Sequence, residues 1–171
     1  YPLVELITGA LFTLAFWSLD IGNSLEIGNW KLTIELLVSW YLLSTLVVLF
    51  VYDLRFGLVP DKVVLPAIVV AMLYSIMRDP APRSVLYLLF AVIVGAGFFA
   101  AQYYLSKGRW LGDGDIRIGA LLGALLGWPM IFEGLAIAYL LGGSVGIGLL
   151  LVGRKKFGET VPLGTFLTAG A

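Results

Sequence analysis

The sequence predicts an all-α membrane protein, a polytopic transmembrane helix bundle of about six spans plus the start of a further C-terminal helix. Three observations predict it. The mean hydropathy is +0.99, and 60% of the 171 residues are hydrophobic against 13% charged, too few charges to cover a water-facing surface. Apolar runs recur at lengths near the roughly 20 residues that cross a bilayer. The 11 basic residues fall unevenly between alternate loops, as the positive-inside rule requires of a spanning chain.

The runs follow one another between polar breaks. The first, 2–19, lacks the basic n-region and small-residue cleavage site of a signal peptide and reads as a span. The second, 32–51, leads into "VYDLRFGLVPDK", where Asp53 closes an apolar helix. The third, 63–77, is short for a span, and the fourth covers 85–105. The fifth and sixth, 116–133 and 134–152, are divided by little more than Glu133-Gly134. A polar tail, "GRKKFGET", then gives way to "VPLGTFLTAGA", the opening of a further helix. No repeat interrupts the series, so 1–171 reads as one membrane-embedded domain. Gly119, Gly123 and Gly127 recur every four residues, the spacing that lets membrane helices pack closely. Trp17, Trp30, Trp110 and Trp128 stand at run ends and fit an interfacial belt.

Composition excludes several chemistries. With no cysteine and no histidine, disulfides, thiolate nucleophiles, Ser-His pairs and the usual zinc sites are out, and no metal is expected. Eleven basic residues balance 11 acidic ones, so the lipid bilayer and not nucleic acid is the expected partner. With the N-terminus inside, eight basic residues (55, 62, 107, 109, 117 and 154–156) lie on the cytoplasmic side against three (31, 78 and 83) outside. Asp53, Asp61, Asp113 and Asp115 then share the cytoplasmic boundary.

These acids are the candidates for chemistry. Asp53 lies at the C-terminal end of its helix, where the dipole disfavours a carboxylate, so a structural cap explains it poorly. Asp115 is placed to N-cap the fifth run. Capping leaves Gly112 and Gly114 unexplained, and these predict φ > 0 or a close backbone approach. Two carboxylates from different helix ends at a watery boundary suit aspartyl proteolysis, one taking a proton from water and the other donating to the scissile carbonyl. The helix dipoles place the shared proton on Asp53 at rest. Asp61 is expected to cap the third run and Asp113 to be solvated.

Motif spelling adds a resemblance. "GDGD" at 112–115 fits the G-x-G-D signature of membrane aspartyl proteases. "DLRFGLVPD" at 53–61, with Pro60 and Asp61 at its end, resembles the other half of the type IV prepilin peptidase pattern. The opening "YPLVELITG" is similar to the segment after that family's cysteine-containing region, and "VPLGTFLTAGA" to its C-terminal Pro-Phe-Gly-Pro-Phe-Leu stretch. The resemblance implies that Asp53 and Asp115 are catalytic, with Gly112, Gly114, Pro60 and Asp61 in support. It implies cleavage of prepilin or pseudopilin leaders after a glycine, at the cytoplasmic face of a bacterial inner membrane. Proteolysis then needs no cofactor, while S-adenosylmethionine serves N-methylation in many full-length members. The first span and cysteine-bearing domain of the family have no counterpart here, which marks this chain as the protease core. Arg117 stands where lysine is usual, and Leu163 and Thr165 replace a Phe and a Pro.

Two rivals compete. A small proton-coupled transporter would also hold acids within its spans, but it predicts inverted repeats and acids at mid-membrane. A presenilin-like protease shares Tyr52-Asp53 and G-x-G-D, but carries a Pro-Ala-Leu motif missing here.

Overall fold

The computed structural model describes residues 2–18, 30–109, 111–151 and 163–170. Among these, seven helices and no strand are found: α1 (Pro2–Ser18), α2 (Trp30–Phe56), α3 (Asp61–Arg78), α4 (Pro82–Ser106), α5 (Asp113–Leu126), α6 (Ile131–Leu151) and α7 (Leu163–Gly170). The all-α class stands. Thr33–Phe56 and Pro82–Ser106 are long and apolar enough to cross a membrane, and Ile131–Val145 is a shorter apolar stretch. The tail at 152–162 and Trp110 lie outside the described residues, as do the side chains of Trp17 and Trp30.

The chain forms two compact units, 1–48 and 49–171. In the first, the Phe12 and Trp40 rings meet at 5.7 Å, and Thr45 returns its hydroxyl to the Tyr41 carbonyl, so its polar group is satisfied inside its own helix.

The second unit carries the candidate acids. Its core joins Phe99 of α4, Ile118 and Leu122 of α5, Ile131 and Leu135 of α6, and Leu167 of α7. The α4–α5 pair is its most extensive contact, and glycine explains why. A Cβ at Gly95 would strike the Gly119 carbonyl, and one at Gly119 or Gly123 would strike the α4 backbone at Gly95 or Ala91. The helices therefore touch backbone to backbone, as small residues permit.

Helix ends follow local chemistry. Pro82 starts α4, where its missing N–H is no loss. Lys107 (φ 54°) and Gly108 (φ 72°) end it in the left-handed region, the Gly108 N–H returning to the Tyr103 carbonyl at 2.9 Å. The division after α5 differs from the expected one. It falls at Gly127–Met130, where Gly127 (φ 67°) closes α5 and Pro129 interrupts the helical hydrogen bonding. Glu133 is no break but an exposed acid in the first turn of α6, where the dipole favours it. Gly127 accordingly leaves the packing stripe, and Trp128 beside it stacks edge-on against Phe90 and Phe132 at 4.8 and 5.1 Å.

Candidate active site

The last turn of α2, the 57–60 connection, the start of α3, Gly108-Arg109 and the first turn of α5 surround one cavity of about 700 Å³. Asp53, Pro60, Asp61, Gly112, Gly114 and Asp115 all line it. Acids 62 positions apart in the sequence are thus brought to a common space.

Asp53 is 5% exposed, although it stands at the unfavourable end of α2. Its compensation comes from α7. The Thr165 N–H and hydroxyl both donate to Asp53 Oδ2, at 2.5 and 2.8 Å. These are donors suited to a charged carboxylate, supplied from the positive end of another helix. Gly164 permits the approach, since a Cβ there would lie 2.9 Å from Asp53 Cγ. Neither residue was singled out for the site from sequence. Position 165 carried only the signal that it departs from the proline of the resembling stretch.

Asp115 is 7% exposed and is not the N-cap. Gly112 is, in extended conformation (φ −80°, ψ 160°), and Asp115 at the third helical position accepts its N–H at 3.1 Å. The side chain lies just ahead of the apolar run that begins at Ile116. Burial holds its carboxyl up, at about 6, with the Gly112 N–H pulling downward and the charges of Asp53 and Asp113 pushing upward. Burial thus favours the protonated form of Asp115 more than an ordinary aspartate would allow. Desolvation outweighs the favourable helix end.

Of the two roles expected of the motif's glycines, close approach holds at Gly114. Neither Gly112 nor Gly114 has a left-handed φ. A Cβ at Gly114 would meet Val59 Cγ2 at 2.6 Å and Val59 Cβ at 2.7 Å. Asp61 makes no capping bond, and Pro60 takes the N-cap position of α3. Arg117 Nη1 instead bridges Asp61 Oδ1 at 2.8 Å and Asp113 Oδ2 at 3.3 Å, tying the start of α3 to that of α5. Asp113 is exposed but paired rather than simply solvated. Among the described residues no group of acids gathers as a metal site.

The type IV leader peptidase family model matches residues 40–147. A prepilin leader peptidase/N-methyltransferase of Aeromonas salmonicida is 30% identical over 169 residues, 98% of this chain and 54% of the relative. One of Klebsiella pneumoniae is 34% identical over 146 residues, 81% of this chain and 57% of the relative. Leader peptidase HopD of Escherichia coli is 32% identical over 145 residues, 80% of this chain and 89% of the relative. The chain spans about half the length of several curated relatives it matches. No solved structure gives a significant match. The family match over residues 40–147, joined to the HopD similarity over most of that relative's length, shows that this chain belongs to the type IV leader peptidase family.

Proposed function

We propose that the chain is the aspartyl endopeptidase core that removes the leader of type IV prepilins or pilin-like secretion proteins at the cytoplasmic face of a bacterial inner membrane. One observation carries the reading: two buried carboxylates, on different helices, face a single cavity. Ionised Asp53 takes a proton from a water, whose oxygen attacks the scissile carbonyl carbon. Protonated Asp115 gives its proton to the carbonyl oxygen. The resulting gem-diol collapses: one of its hydroxyls returns a proton to Asp115 as the C=O re-forms, the C–N bond breaks, and the proton held by Asp53 passes to the leaving amine. Both groups start in the required state when the pair shares one proton.

A prepilin offers a polar leader to the cytoplasm and an apolar helix to the bilayer, so its scissile bond lies at the interface. The positive-inside bias supports a cytoplasmic side for the acids. A carrier using these acids is disfavoured, because they gather at one end of the helices. N-methylation from S-adenosylmethionine would belong to the full-length protein. The cavity's side chains include the two acids, an ion-paired cluster on Arg117, Tyr52 and Arg109, a set that fits hydrolysis.

The test is direct. The purified chain in liposomes is incubated with a prepilin, and the mass of the product is read. A cut after the leader glycine is expected, and no cut under any lipid condition would sink the proposal. Asp113→Asn should leave cleavage nearly unchanged. It removes one exposed ion pair, an interaction worth under about 1 kcal/mol, and Arg117 keeps Asp61. A loss matching that of Asp115→Asn would reverse the choice of acid within the motif. Gly114→Val should reduce cleavage by roughly tenfold or more, because Val59 and the cavity wall it belongs to must move. Its melting temperature should change much less than its rate; equal rates in variant and parent would show the wall to be irrelevant.

A further inference from the structure

We infer that Thr165 is a positioning residue for Asp53, fixing the plane of its carboxylate by two converging donors. The inference rests on the peptidase reading and deepens it. Both Thr165 donors reach the same oxygen, Oδ2, and both partners are buried, Thr165 at 3% exposure and Asp53 at 5%. One donor would leave the carboxylate free to turn about the bond; two from one residue, on backbone and side chain, define a direction. The donor residue is itself held. Thr168 returns its hydroxyl to the Gly164 and Thr165 carbonyls, 3.0 Å each, and Leu167 is sealed in the core. Gly164 leaves room for the carboxylate, since a Cβ there would lie 2.9 Å from Asp53 Cγ and Oδ2.

The proline of the resembling stretch could supply neither donor, having no N–H and no hydroxyl. This chain therefore orients its base by a means its own sequence brings. A base whose lone pair must meet a water within a few tenths of an ångström depends on such orientation, and the dependence falls on turnover rather than on substrate binding.

Three variants and two readouts decide it, with the purified chain in liposomes and a prepilin as substrate. Thr165→Val keeps the shape and the N–H but loses the hydroxyl. It should lower kcat about tenfold, the worth of one hydrogen bond to a charged group, with KM unchanged within about twofold. Thr165→Ser keeps both donors and should stay within about twofold of the parent. Thr165→Pro loses both and should fall below the valine variant. Equal losses in the Val and Ser variants, a change confined to KM, or an unaffected Val variant would each overturn the inference. The second readout does not need turnover. The infrared carboxylate stretch should differ between parent and Thr165→Val, and that difference should vanish when both carry Asp53→Asn. A missing difference overturns the inference by itself, whereas absent cleavage in the parent, with the difference present, falls on the peptidase reading alone.

Discussion

Asp53→Asn and Asp115→Asn are each expected to abolish leader cleavage, by at least about 10³-fold, while the protein stays folded in the membrane. The substitutions are nearly isosteric, and the side-chain carbonyl can accept what the carboxylate accepted. An amide at position 53 still receives the Thr165 hydroxyl and N–H, and one at position 115 still receives the Gly112 N–H. At 115 a neutral amide also removes the charge that burial disfavours, so stability there should be level or slightly raised. What disappears is proton transfer: an amide neither takes a proton from water nor donates a carboxylic one. Cleavage of a prepilin, read by mass against time, with a melting curve for each variant, separates chemistry from folding. More than about 1% residual rate in either variant would remove that residue from the catalytic pair.

Gly119→Val should have the largest effect on stability, about 2–4 kcal/mol. Its new Cβ would enter the Gly95 carbonyl and lie 2.5 Å from Phe99 Cδ2. Backbone cannot step aside as a flexible side chain can, so α4 and α5 must separate, and with them the support of Asp115. Gly127→Ala is the contrast. Nothing lies within 4 Å of a Cβ at Gly127, but its φ of 67° disfavours any side chain, so the loss should be only about 1–2 kcal/mol. Thermal unfolding in detergent checks both. Similar losses for the two would mean that close packing at Gly119 is unimportant.

The long apolar runs made the helices legible, because burying a backbone in lipid leaves few alternatives to a helix. The acids at 53 and 115 were legible because such groups are conspicuous in a chain so poor in charge. The α5–α6 boundary was not. Gly127 and Pro129 act on the backbone without interrupting hydrophobicity, while polar Glu133 drew the division too far along the chain. The upward push on Asp115 was hidden for a related reason. Dipoles can be read from helix ends, but burial depends on neighbours that only the folded chain supplies. Thr165 lay furthest from view, as its meaning exists only through a partner 112 residues away.

That separation has a consequence in time. A chain is made from its N-terminus at about 5–20 residues per second, so Thr165 follows Asp53, 112 positions earlier, by roughly 6–22 s. Throughout that interval Asp53 is present without the two donors that orient it. A half-made molecule thus carries Asp53 without these two donors until the helix at 163–170 has been made. The order of synthesis thus sets the order in which this site is completed, acid first and its donors second.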